Sequence, residues 1–219
     1  MLICAYLPPI RSYLCSVKRF TTSDADEILQ GFIASKFIER RLIEAADEGR
    51  GRFRTLVLSS LNRYLIDLYR RREVEERHTS ARSLRGGTDS ATDADCFDIE
   101  WARLILHTAI EATRTELESS NRQLLWRLFI TRVLDPILDD QPVPEYDEVC
   151  TAFGFNTATQ ACSAIVTVKR MFARNLRRVI AGYESNSQAI EEELNDLKKI
   201  LATPRARSEL QLRIEHMKG

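Results

Sequence analysis

Paired cysteines, metal-ligand spacings and long apolar runs are all missing from this 219-residue chain, and glycine and proline are scarce at 8 and 6 residues. The five cysteines (Cys4, Cys15, Cys96, Cys150 and Cys162) are odd in number and nowhere form a CxxC. That pattern speaks against a disulfide framework or a zinc ribbon and for reduced thiols used as small core residues. The three histidines, His78, His107 and His216, are scattered along the chain. No HExxH, glycine-rich phosphate loop, GxSxG or paired catalytic carboxylates accompany them, so no enzyme, cofactor, metal site or small-molecule substrate is expected. No stretch nears the ~20 apolar residues that span a bilayer. Met1 to Pro9 lacks the basic region and apolar core of a signal peptide. The expected location is the cytoplasm, with no membrane partner.

Alternating β-branched runs are also nearly absent. Leu, Ala, Arg and Glu fill the chain instead, and the apolar share of 44% is ordinary for a globular protein. These residues favour helix, so an all-α fold is expected. The length suits one large domain or two small ones.

The formal net charge of zero conceals a separation of charge. Residues 1–85 carry 16 basic and 11 acidic side chains, whereas residues 88–148 carry 5 and 14. Between Asn156 and Tyr183 lie Lys169, Arg170, Arg174, Arg177 and Arg178 with no acid among them. Two basic regions divided by an acidic one suit a polyanion partner.

The chain reads as two helical blocks, a linker and a tail. The first block covers residues 1–77. Ile10 to Phe20 reads as a helix after the Pro8-Pro9 stop, and Thr21-Thr22-Ser23-Asp24 reads as the N-cap cluster of the next, with Ser23 and Asp26 or Glu27 as a capping arrangement. That helix turns Ile28, Leu29, Phe32, Ile33, Phe37 and Ile38 inward, and the charged, glycine-bearing stretch from Asp47 to Gly51 breaks it. A long helix from Phe53 to about Arg77 follows, with Phe53, Leu56, Val57, Ser60, Leu61, Tyr64, Leu65 and Leu68 on its packed side. Residues 78–98 have no apolar period and read as a flexible linker. The second block covers residues 99–183. Residues 184–219 form a helical extension whose Ile190, Leu194, Leu197 and Leu201 make a stripe too short for a lone coiled coil, so it is expected to pack on the second block.

Within the second block, Tyr146 to Thr157 has the form of a helix-turn-helix. Val149 and Ala152 are expected to pack inward, Gly154 to supply the positive φ of the turn, and Asn156 or Thr157 to cap the following helix. That helix opens with short polar side chains, Thr157, Thr159, Gln160 and Ser163, of the kind that reach base edges in a major groove. Lys169, Arg170, Arg174, Arg177 and Arg178 follow as phosphate contacts. The plainer reading is an αα-hairpin with a solvated basic face.

The order of these pieces resembles an extracytoplasmic-function sigma factor of bacterial RNA polymerase, over about Tyr6 to Tyr183. The stretch from Asp24 to Phe32 resembles the family's acidic helix that docks on polymerase, which implies Asp24, Asp26, Glu27 and Gln30 as contacts. Phe53 to Leu58, with Asn62, Asp67 and Arg70 to Arg72, resembles the helix that melts and reads the minus-ten element. Arg54, Asn62, Arg63, Tyr64, Arg70 and Arg71 are the implied DNA contacts, although core packing is the other reading of Tyr64 and Tyr69. The family often captures a flipped base with the loop before this helix, here about Ala45 to Arg52. Tyr146 to Ile180 resembles the minus-thirty-five reader. The resemblance implies two small helical domains, like sigma domains 2 and 4, with core polymerase and promoter DNA as partners and an anti-sigma factor as a further one. Two departures stand out: Gly31 occupies a position where the family usually has an acid, and the reading helix has no cation before Lys169. A helix-turn-helix regulator that never engages polymerase is the alternative.

Overall fold

A computed structural model of the chain describes residues 6–36, 53–76, 90–138, 141–184 and 186–206. Among these residues there is no β-strand, and no helix is long and apolar enough to cross a membrane. They fall into two compact units, one from Tyr6 to Glu100 and the other from Trp101 onward.

The first unit begins with α1 (Leu7–Ser16), which carries Pro8 and Pro9 in its first turn. A first turn has no intrahelical acceptors for its N–H groups, so prolines cost nothing there. The prolines therefore start the helix and do not precede it. It ends at Ser16, short of the expected Phe20, and Arg19 with φ 59° turns the chain away. In α2 (Thr22–Lys36) the capping residue is Thr21, the first of the expected cap cluster, in place of Ser23. Its hydroxyl accepts the Asp24 N–H at 3.2 Å and donates to the Asp24 carboxylate at 2.8 Å. The inward stripe of α2 is Ala25, Ile28, Leu29 and Phe32, spaced i, i+3, i+4, i+7. Phe37, Ile38 and the segment expected to break this helix lie outside the described residues.

The long helix α3 (Phe53–Glu76) has almost the expected bounds, but its packed face is rotated. The buried positions are Arg54, Val57, Leu58, Leu61 and Leu65, an i, i+3, i+4, i+7, i+11 series. Leu56, Ser60, Tyr64 and Leu68 sit at its margin. Ring contacts bind the unit: Tyr13 meets Phe97 edge-on at 5.5 Å, Phe32 meets Tyr64 edge-on at 5.8 Å, and Phe20 stacks on Tyr69 at 6.4 Å. Gly31 lets α2 and α3 approach here, because a Cβ at this position would lie 2.2 Å from the Tyr64 hydroxyl oxygen. The absence of an acid at position 31 thus has a steric cause.

Helix α4 (Ser90–Ser119) starts inside the segment expected to be linker. Residues 90–98 are helical because Cys96, Phe97 and Ile99 supply buried apolar positions that the Ser, Thr and Asp content obscures. The boundary between the two units falls within this helix, after Glu100. The rest of the expected linker lies outside the described residues.

The second unit continues through α5 (Gln123–Phe129), a π-helical turn (Ile130–Leu134) and α6 (Asp135–Leu138). Then come α7 (Tyr146–Phe153), α8 (Ala158–Ala181) and α9 (Ser187–Leu201). One apolar cluster joins Ile110, Leu117, Trp126, Phe129, Val168 and Met171. A second joins Leu128, Val149, Ala161 and Ile165. Leu201 packs against the first cluster, and α9 lies along α8. The tail therefore belongs to the second unit, as its apolar stripe implies.

Candidate nucleic-acid interface

Helices α5, α7 and α8 pack on one another around Leu128, Val149, Ala161 and Ile165, with Tyr146, Cys150 and Phe153 at the edge. The inward positions of α7 are thus 146, 149, 150 and 153. Ala152, expected inward, is exposed because it falls on the opposite side of this stripe. Cations hold α7 against its neighbour. The Arg132 guanidinium lies 4.5 Å from the centre of the Tyr146 ring, and Arg127 lies 5.8 Å from that of Phe153.

The turn is built as its sequence implies. Gly154 takes φ 72°, a left-handed conformation that residues with a Cβ rarely adopt, and its N–H donates to the Cys150 carbonyl. Thr157, extended at φ −145°, caps α8 by accepting the Gln160 N–H at 3.2 Å. The Gln160 side-chain oxygen reaches back to accept the Asn156 N–H at 3.1 Å. Thr157 and Gln160, two of the four residues expected to contact bases, therefore also hold the start of the helix.

Along α8, Ala161, Ile165, Val168 and Met171 face inward. Thr159, Cys162, Ser163, Val166, Lys169 and Arg170 face solvent on successive turns. This face presents short polar and apolar groups for three turns and then two adjacent cations. Lys169 and Arg170 have no ion-pair partner among the described residues, so their charge is available to a polyanion.

The remaining cations of α8 are fastened. Arg174 donates to the Glu116 carboxylate of α4, and Arg177 donates to Glu191 of α9. Asn175, only 1% exposed, donates from its amide to Thr113 Oγ1 at 3.2 Å and to Glu116 Oε2 at 3.1 Å. Thr113 in turn donates to the Ala109 carbonyl at 2.7 Å. Hydrogen bonds from Arg174 and Asn175 hold the Glu116 carboxyl below its ordinary range, against the opposing effect of burial. The network fixes the rotation of α8 about its axis. Arg174 and Arg177, both expected to contact phosphate, are thus engaged within the second unit. The sequence signal of the network is Asn175, a polar residue in register with the buried stripe.

In the first unit the expected contacts divide in the same way. Arg54, expected to contact DNA, is instead buried at 3% exposure and pairs with Asp98 at 2.9 Å. It stands at the head of the buried stripe of α3, where a cation needs a partner. Tyr64 packs against Phe32 and above Gly31, which removes its ring from the expected stacking role. Arg63, Arg70 and Arg71 are exposed along the rest of α3, and Asn62 is half-buried. On α2, Asp24 is engaged by Thr21, and Asp26 receives Arg11 through bonds of 2.5 and 3.1 Å. That pairing lowers the Asp26 carboxyl pKa. Glu27 and Gln30 remain exposed on the same helix. The loop expected to capture a base lies outside the described residues.

No family model, no curated protein and no solved structure matches this chain.

Proposed function

We propose that this protein is a promoter-specificity subunit of bacterial RNA polymerase, of the extracytoplasmic-function sigma type. The observation that carries the DNA-binding part is the open face of α8, from Thr159 through Ser163 and Val166 to Lys169 and Arg170. A helix held by its neighbours, with one exposed face of short side chains and cations beyond it, is the arrangement that enters a major groove. Arg63, Arg70 and Arg71 on α3 supply a second run of exposed cations for promoter DNA. Glu27 and Gln30 on α2 are the side chains offered to core polymerase.

The second reading is a helix-turn-helix regulator that never engages polymerase. It is favoured by the engagement of Asp24 and Asp26, two of the four residues expected to dock, within the first unit. Co-purification with bacterial core RNA polymerase separates the two. The wild type is expected to co-elute, and Glu27→Arg with Gln30→Arg to lose the complex while keeping duplex binding. Failure of the wild type to co-elute, with salt-sensitive duplex binding intact, would leave the regulator as the better reading.

A further inference from the structure

The exposed face of α8 has an unusual chemistry for a groove-reading helix. Guanine is most often read by the forked donors of Arg, or by Lys, and adenine by Asn or Gln. Before Lys169 the helix has no Arg, Lys or Asn, and its one amide, Gln160, accepts the Asn156 N–H at the helix start. What the face does present is Val166, 40% exposed, one turn beyond Cys162 and Ser163 and two turns beyond Thr159. A β-branched aliphatic side chain left open on a helix whose neighbouring aliphatic positions, Ile165 and Val168, are buried is not accounted for by the packing of α8. Its place directly ahead of Lys169 and Arg170 puts it where cations draw in a phosphate backbone.

We infer that Val166 is a specificity-determining residue that reads thymine C5-methyl groups in the major groove, with Thr159 and Ser163 beside it, so that the second unit selects A·T-rich duplex DNA. This rests on the DNA-binding reading above. The thymine methyl is the one apolar group on a major-groove base edge, and small aliphatic side chains are its usual contacts. Cationic anchoring by Lys169 and Arg170 adds affinity without sequence information. The division of labour on one helix is then methyl readout in its first turns and phosphate contact in its middle.

The test selects duplexes from a random pool with the full chain at low ionic strength, then replaces thymine by uracil in the recovered sites. Uracil keeps every hydrogen-bonding group and lacks only the methyl. Recovery of A·T-rich sites is expected, with binding about fourfold weaker for each contacted methyl removed, from the transfer free energy of one methylene-sized group. Val166→Ala should bring the thymine-to-uracil ratio close to one, and Val166→Thr, which keeps one methyl, should retain part of it. Lys169→Ala should weaken thymine and uracil duplexes alike. Recovery of G·C-rich sites, or equal binding of thymine and uracil duplexes by the wild type, overturns the inference and leaves DNA binding standing. No salt-sensitive duplex binding at all overturns both. The uracil comparison is made on the DNA, so it decides the matter whatever the variants do to folding.

Discussion

The two basic helices look alike in sequence and use their arginines in opposite ways. In α3 the first arginine, Arg54, is buried against Asp98, while Arg63, Arg70 and Arg71 further along are exposed. In α8 the first cations, Lys169 and Arg170, are exposed, while Arg174 and Arg177 are tied to Glu116 and Glu191. A cationic run therefore has two parts, one that fixes the helix and one that it presents. Which part is which depends on the register of the buried stripe and on acids far away in sequence.

The largest break in this comparison is expected at Arg54. Arg54→Ala removes a buried guanidinium and its pairing with Asp98, whose side chain stays about one-third exposed, and should cost the first unit roughly 1–3 kcal/mol in denaturant unfolding. If Arg54 were a DNA contact instead, stability would hold and only duplex affinity would fall. The next effect separates presented from fastened cations by salt dependence. Each phosphate contact contributes a slope of about −0.9 in a plot of log affinity against log salt. Lys169→Ala with Arg170→Ala should flatten the slope by one to two such contacts, and Arg177→Ala should scarcely change it. An equal change for both would mean that Arg177 leaves Glu191 to meet DNA.

A smaller effect tests the close approach of α2 and α3. Gly31→Ala gains about 1 kcal/mol of helix propensity. It also drives a Cβ into the Tyr64 hydroxyl, an overpacking that costs roughly 1–3 kcal/mol. The net change should be destabilising by about 1 kcal/mol. In a Tyr64→Phe background the hydroxyl is gone and the remaining ring carbon lies at an ordinary 3.4 Å, so the same substitution should stabilise. Additivity between the two sites would refute the clash.

The smallest effects belong to the exposed pairs. Glu191→Gln should cost under about 1 kcal/mol, since both side chains are half exposed and salt-screened. Glu116 is tested by pH. Its carboxyl is depressed in the folded state, so its contribution is present above the ordinary glutamate range and is lost as pH falls through the lower folded value. Glu116→Gln should flatten the acid limb of the thermal stability of the second unit, and an unchanged acid limb would show that Arg174 and Asn175 do not bind the charged form.

Much of the fold was legible because helices announce themselves. The bounds of α3 and α8, the positive φ of Gly154, the Thr157 cap and the packing of α9 all follow from local chemistry. The site was legible only in outline. Val57, Leu61 and Leu65 are legible as packed positions of α3, whereas Arg54 and Leu58, on the same stripe, are not. Residues 90–98 passed for linker because Ser and Asp outweighed Phe97 and Ile99 in composition. The partners of Arg174 and Arg54 lie 58 and 44 residues away, and no local pattern reaches that far. Val166 was passed over because a valine on a helix is usually core.

The π-helical turn from Ile130 to Leu134 has a consequence for chain length. A turn closed by i→i+5 hydrogen bonds holds one residue more than an α-turn between the same two ends. Flanked by α5 and α6 without a break, it behaves as a one-residue insertion absorbed inside a helix. Shortening the segment by one residue, for example at Thr131, would convert the bulge to ordinary α-helix while leaving Phe129 and Leu134 their places in the core. Point deletions, which elsewhere in a helix rotate everything downstream by about 100°, have here a position at which the chain can lose length and keep its alignment.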